Sequence, residues 1–342
     1  VSHSTVSAQL IEHAPCPGIE EAIGYEDGWQ VRDGAHWLIT REDTAIITRR
    51  IDPSRRRLFT EQHTWTTPAP GTRGYASPAR GNLLFNGPDT LTSLAPDGTV
   101  LWTHEHPAWE DENLTQGACA LTPDGRHVIA TRCGLHSGDG YAGDVCVALD
   151  AHTGELLAQA TMPAYSASYM LQHLATAPGP LLLSAAQGQE EYLALLVTFG
   201  SDGLSLSSCG VFDAPFTGSS SRTGDLLDLA LGGEQLTRWK NDPSGTYRPA
   251  AEATAAATLP VSGQQFVLRP GYVDDHTVIA PTADKDNWAP ERSTHYLLDS
   301  QTLQLRAEIA YPFPVSPDPI ALGDGTWLTA TGDEVFRWRA II

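Results

Sequence analysis

The 342 residues predict an all-β chain assembled from a repeated four-stranded unit. Three observations predict it. Short runs of alternating apolar and polar residues recur along the whole chain, as in half-buried strands. A turn rich in Asp, Gly, Ser or Pro returns between such runs about every 50 residues, a period typical of repeat architectures. The composition, 41% hydrophobic with 31 Gly and 24 Pro, is that of a folded protein with many turns.

The clearest hairpins are SLAPDGTVLWTHE (93–105), VALDAHTGELLAQ (147–159), VTFGSDGLSLSSCG (197–210), LTRWKNDPSGTYRPA (236–250) and YLLDSQTLQLRAEI (296–309). An arginine-rich segment, 46–62, is a sixth and turns at Asp52-Pro53-Ser54. Two further strands precede each hairpin, as in Trp29–Arg32 with His36–Thr40, Cys119–Leu121 with His127–Thr131, and Phe266–Leu268 with Thr277–Ala280. Four strands per repeat is the pattern of a β-propeller blade. A seventh unit opens at 320–342 and stops after its third strand, while TVSAQLI (5–11) alternates but has no blade of its own. The expectation is a seven-bladed β-propeller forming a single domain over 1–342, closed by the N-terminal strand, which removes the open sheet edges.

VALDAHTGELLAQ, and in a similar form SLAPDGTVLW, resembles the repeat of the PQQ-like and WD40-like propeller superfamily. The resemblance covers nearly the whole chain as architecture and implies no particular activity, since such propellers serve as scaffolds, receptors and enzymes. The Trp-Asp dipeptide of WD40 blades is missing, and Trp102 alone occupies its position in these repeats. Quinone-dependent members usually carry adjacent cysteines beside the cofactor, and Cys16, Cys119, Cys133, Cys146 and Cys209 include no adjacent pair. No cofactor is therefore expected.

Forty-one acidic against 21 basic residues give a formal charge of −20, which argues against nucleic acid and anionic membranes as partners. The same charge suits a basic partner. No stretch reaches the roughly 18 apolar residues of a membrane span, and the N-terminus has no basic region followed by an apolar one, so no signal peptide is expected. An odd number of cysteines without a CxxC pair fits a reducing cytoplasm. Arg49, Arg50, Arg55, Arg56 and Arg57 read as a solvated hairpin on the rim.

In a propeller the turns joining first to second and third to fourth strands share one face. Here that set is tight: Asp33-Gly34, Asp97-Gly98, Asp124-Gly125, Pro178-Gly179, Asp202-Gly203 and Asp324-Gly325. The opposite set is long and chemically mixed, spanning 64–74, 106–115, 134–143, 162–171, 213–223 and 281–293. Binding is expected on the long loops. Residues at the start of each innermost strand should ring the channel mouth: Glu26, Asp27, Arg73, Gln116, Gln172, His173, Asp225, Gln264 and Asp318. The loop aromatics Trp109, Tyr141, Tyr165, Tyr169, Phe216 and Trp288 complete a site suited to an organic ligand or a peptide side chain.

No committed catalytic or metal motif emerges. His104 and His106 alternate on what should be an outermost strand, and Asp284, Asp286 and Asn287 lack the Gly and Glu of a calcium loop. No GxSxG elbow is present, and Gly323-Asp324-Gly325 is a turn rather than a sialidase Asp-box, which spaces its Asp and Gly apart. Cys119, Cys133 and Cys146 fall in consecutive strands of one blade and read as small buried hydrophobes. His173 with Asp225 or Glu26 is the one nameable acid–base pair. The first functional reading is a propeller that binds a protein or peptide partner, a basic one on charge grounds. The alternative is a cofactor-independent lyase, isomerase or hydrolase acting on an organic molecule at the channel mouth.

Overall fold

The computed structural model describes residues 4–23, 28–32, 34–42, 44–67, 74–109, 117–134, 136–137, 140–141, 143–162, 168–174, 180–187, 191–212, 220–230, 232–242, 246–285 and 293–341. Strand β1 (Ser4–Pro15) and the short helix α1 (Ile19–Ile23) precede four antiparallel four-stranded sheets. The first sheet holds β2 (Trp29–Arg32), β3 (Ala35–Glu42), β4 (Ala45–Ile51) and β5 (Phe59–Thr66), and the second β6 (Tyr75–Ala79), β7 (Asn82–Asn86), β8 (Thr90–Leu94) and β9 (Val100–Glu105). The third contains β10 (Cys119–Leu121) and β11 (His127–Arg132), then the small ribbon β12 (His136–Ser137) and β13 (Gly140–Tyr141), then β14 (Val145–Asp150) and β15 (Leu156–Thr161). The fourth is β16 (Tyr169–His173), β17 (Leu181–Gln187), β18 (Glu191–Gly200) and β19 (Gly203–Phe212).

A three-stranded sheet follows, β20 (Leu226–Leu229), β21 (Gln235–Asn241) and β22 (Tyr247–Thr254), and then the one-turn helix α2 (Ala255–Thr258). The remaining strands are β23 (Gln264–Phe266), β24 (Gly271–Asp274), β25 (Thr277–Asp284), β26 (Thr294–Asp299), β27 (Leu305–Ala310), β28 (Ile320–Ala321), β29 (Trp327–Thr331) and β30 (Glu334–Ile341). With β1 they form one nine-stranded sheet. The chain divides into two compact units: one of Gly24–Ile51 with Phe59–Val211, the other of Val1–Ile23, Asp52–Leu58 and Phe212–Ile342.

Burial explains why the two kinds of strand read differently in sequence. The first strands β6 and β16 are buried at every position, whereas the fourth strands β9 and β15 are mostly exposed and alternate. A strand covered on both faces has no polar side to show, and an outermost one must show it. In the first of these units Tyr75, Val128, Leu149, Tyr169 and Leu195 belong to one continuous core. In the other, Tyr272, Val278, Tyr296 and Leu298 form one cluster, and Ile279, Leu297, Trp327 and Trp338 another.

The repeated turns are built by their aspartates. Asp150 Oδ1 accepts the amides of His152 at 2.9 Å and Thr153 at 2.8 Å, and Asp299 Oδ1 accepts those of Gln301 and Thr302, both at 2.9 Å. Each such turn closes the chain locally at little entropic cost. The next step of both turns is left-handed, with φ 72° at Gly154 and 56° at Leu303. Gly154 also admits the Trp102 ring, which a Cβ there would approach to 2.7 Å.

One strand expectation is corrected. The inner strand expected at Phe266–Leu268 is broken in two: β23 pairs with the end of β25 and β24 with its start. Leu268, at φ 55°, lies in the break, where Pro270 also cannot donate to a ladder. In the 236–250 hairpin β21 and β22 follow the described strand β20, and residues 213–219 before it lie outside the described residues. Strand β1 pairs antiparallel with β30 from Ser7↔Ile341 to Pro15↔Glu334, with a bulge between Leu10 and Glu12. Its first residues also run parallel to β27, from Ser4↔Ala307 to Ser7↔Ala310.

Candidate functional site

In the unit of residues 24–51 and 59–211, the first strands of the four sheets are tied together by side chains. Arg32 donates from Nε to Ser77 Oγ at 2.8 Å and from Nη2 to the Tyr75 hydroxyl at 3.2 Å. The Tyr75 hydroxyl donates to the Leu171 carbonyl at 3.3 Å, and Gln30 Nε2 to the Ala76 carbonyl at 2.6 Å. All of these side chains are buried. His173 belongs to the same set: its Nε2–H donates to the Leu121 carbonyl at 2.8 Å. Burial, with the nearby Arg32 charge, pushes its pKa down to about 3, so the imidazole is neutral. Gln172 donates to the Met170 sulfur at 3.1 Å.

Trp109 and Tyr169, expected on exposed loops, are core residues at 4% and 0% exposure, with ring centroids 6.2 Å apart. The Tyr169 hydroxyl donates to the buried Asp144 carboxylate. Their large apolar area is used to cover the sheet rather than to face solvent. Arg32 and Gln30 escaped the sequence reading because nothing local distinguishes them from residues of an ordinary exposed strand.

In the other unit Asp225 precedes β20 and is held by Arg238, whose Nη2 and Nε reach Oδ2 at 2.6 and 3.0 Å. Arg238 also donates to the Gln301 carbonyl at 3.2 Å, and Arg222 lies 3.4 Å from Asp275. Residues 275 and 301 belong to the short β24–β25 and β26–β27 turns, so Asp225 is on the short-turn side of this unit. Gln264 pairs with Asp284 at the far end of β25. Asp225 and Gln264 are therefore not brought together, although both were expected at the same mouth.

Asp318 meets Arg269, carried by the broken inner strand, at 3.5 Å. Burial raises its carboxyl pKa against the opposing pull of Arg269, and its Oδ1 is buried without a hydrogen-bond partner. The neighbouring Pro317 carbonyl accepts from His295 Nε2 at 3.1 Å. Trp327 Nε1 donates to the Tyr311 hydroxyl at 2.8 Å, and that hydroxyl donates to His295 Nδ1 at 2.7 Å. The chain of donors places the imidazole proton on Nε2, and burial lowers the His295 pKa to about 4.

Gln264 borders a cleft of about 580 Å³, within the usual size range of ligand pockets. The cleft opens where the 232–234 turn presses against β23: Phe266 N–H donates to the Gly233 carbonyl at 2.9 Å, and a Cβ on Gly233 would stand 1.9 Å from the Phe266 carbonyl oxygen. The Tyr296 hydroxyl donates to Gln264 Oε1 at 3.2 Å.

Glu26, Asp27, Arg73, Gln116, Tyr165, Phe216 and Trp288 lie outside the described residues, and Tyr141 is described only as part of β13. Among the described residues no three His, Cys, Asp or Glu converge as metal ligands. All five cysteines are buried free thiols, and burial pushes Cys146 and Cys209 up to about 12. No helix of the described chain is long and apolar enough to cross a membrane.

No protein-family model matches this sequence, and no curated protein matches it. Solved structures do match in fold. BBS1N, from a crystal structure of its complex with ARL6DN, aligns at a TM-score of 0.52 and 10% identity over 99% of this chain and 98% of its own. The β-propeller domain of Cps50 (Swd1) from Myceliophteria thermophila aligns at 0.52 and 10% identity over 96% and 98%. The likeness shows the fold alone, a β-propeller architecture.

Proposed function

We propose that this chain is a recognition propeller that binds a protein or peptide partner through its long connections, without catalysing a reaction. One contrast within residues 212–342 carries the reading. On the short-turn side the polar groups are satisfied internally, by Arg238 on Asp225 and by Arg337 on Asp324. On the opposite side lies an open cleft whose amide groups still have bonds to make. Free hydrogen-bonding capacity beside an apolar wall is what recognition requires.

The titratable groups also favour binding over acid–base chemistry. His173 is committed to a backbone carbonyl and Asp225 to Arg238, so the pair that sequence suggests has other partners on both sides. The charge of −20 favours a basic partner, and five free thiols suit a reducing cytoplasmic setting. We further propose seven blades, with β1 closing the last one against β30. The pairing of β1 from Ser7 to Pro15 supports that closure.

Capture of partners from a native lysate, compared between variants, tests the assignment of sides. A partner retained by the wild type and by Arg56→Ala, and lost on Arg73→Ala or Trp288→Ala, is the expected result. A partner lost only on Arg56→Ala places recognition on the short-turn side and overturns it.

A further inference from the structure

The cleft beside Gln264 has a chemistry more specific than its position on the binding side. Its floor is the buried pair Leu259 and Ala255, and its polar lining is dominated by three neutral amides, Gln235, Gln264 and Gln265. Gln235 Nε2 reaches Thr237 at 3.3 Å and Gln264 Oε1 accepts from Tyr296, so each keeps one end of its amide available. Charge is present only at the rim. There Lys285 Nζ and Glu234 Oε1 are 2.5 Å apart and cancel each other.

A self-neutralised rim offers little net field to an ion, because each charge is already met by its opposite at contact distance. The open groups of the three side-chain amides, the Gln235 carbonyl, the Gln264 NH2 and both ends of Gln265, together set donors beside acceptors. The groups that complement several such pairs at once are other amides, which reverse the same pattern. The small side chains Ala255 and Ala256 leave room along the wall for short apolar groups and not for more than the cavity holds.

We infer that the cleft between the 232–234 turn, α2 and β23 is a binding site for a neutral carboxamide-bearing ligand with short apolar substituents, a small-residue peptide segment being the fitting source. The inference uses the proposed binding side only for location; its chemistry rests on the lining amides and the paired rim charges.

Titration of the full-length protein, followed by the side-chain amide NMR signals of Gln264 and Gln265, tests it. Four probes are needed: N-acetyl-trialanine amide, N-methylacetamide, maltotriose, and N-acetyl-trilysine amide. The capped trialanine should shift both glutamine signals saturably, and maltotriose and the trilysine should not at equal concentration. Tighter binding of trialanine than of N-methylacetamide assigns a peptide source, and equal binding assigns a small amide of the same chemistry. Gln265→Leu keeps the side chain's bulk and should weaken trialanine binding by about fivefold or more, the worth of one or two hydrogen bonds. Ala256→Trp, from the exposed wall, should abolish it. No shift with either amide, shifts of the same size with maltotriose, or unchanged binding in both variants overturns the site. A protein that captures a partner through its long loops yet ignores all amide probes sinks this inference and leaves the binding side standing.

Discussion

Arg337 and Asp324 form an ion pair in the last sheet: Nη2 lies 2.6 Å from Oδ2, with the arginine side chain 1% exposed. The same guanidinium donates from Nε to Thr326 Oγ1 at 3.1 Å and from Nη1 to the Asp52 carbonyl. Asp52 in turn caps the arginine-rich turn through the amides of Ser54, Arg56 and Arg57. Arg55 adds an ion pair to Asp324 at 3.5 Å. The basic segment is thus partly consumed by its own fold.

Arg337→Ala should destabilise the protein by about 1–3 kcal/mol, because it removes one buried guanidinium's bonds to Asp324, Thr326 and the Asp52 carbonyl, while Asp324, 26% exposed, keeps Arg55 and the Thr326 amide. Arg337→Lys should recover only part of this, since one ammonium cannot reach three acceptors as the planar fork does. Urea unfolding checks both. A loss below about 1 kcal/mol for the alanine variant would mean that water replaces the guanidinium.

The Arg238–Asp225 pair is nearly enclosed, at 8% and 4% side-chain exposure, whereas Arg222–Asp275 is open at 68% and 49%. Arg238→Ala is expected to cost about 3–5 kcal/mol by stranding a buried carboxylate. Arg222→Ala should cost under about 1 kcal/mol, as exposed ion pairs do. Equal losses in the two variants would show that burial does not set the difference.

Acid should weaken the fold through its buried histidines. His295 titrates at about 4 and His173 at about 3 in the folded chain, against an ordinary value of 6.5. Between those limits the unfolded chain binds more protons than the folded one, so stability is fully present above pH 6.5 and is lost as pH falls toward 4 and then 3. The His295 contribution is on the order of 3 kcal/mol. Measuring stability from pH 7 to pH 4 should reveal this slope, and His295→Gln should flatten it; a variant with the wild-type slope excludes His295 as its source.

Removing residues 1–12 takes away most of the ladder between β1 and β30 and all of that between β1 and β27. The melting temperature is expected to fall by more than about 5 °C, since an exposed strand edge replaces paired backbone. A truncated protein that melts with the full-length one would refute closure by this strand and the seven-blade count with it.

Much of the architecture is legible in the sequence because its determinants are local. The turns at Asp150 and Asp299 are set by a carboxylate reaching amides two and three residues ahead, and the alternation of β9 and β15 follows from their having one wet face. Such features need no knowledge of distant residues. The break between β23 and β24, the burial of Trp109 against Tyr169 and the capture of Asp225 by Arg238 were decided otherwise. So was the placing of Arg337 on the Asp52 carbonyl, 285 residues away in the chain. In each case the same residue type suits either a solvent-facing loop or a buried contact, and the choice depends on which neighbours packing brings to it. Sequence alone determined the all-β repeat, its hairpins and their turns, because backbone and side chain satisfy one another within a few residues. Only the tertiary structure decided which polar groups are closed off and which, at the cleft beside Gln264, remain open, because that depends on partners that are neighbours only once the sheets have packed.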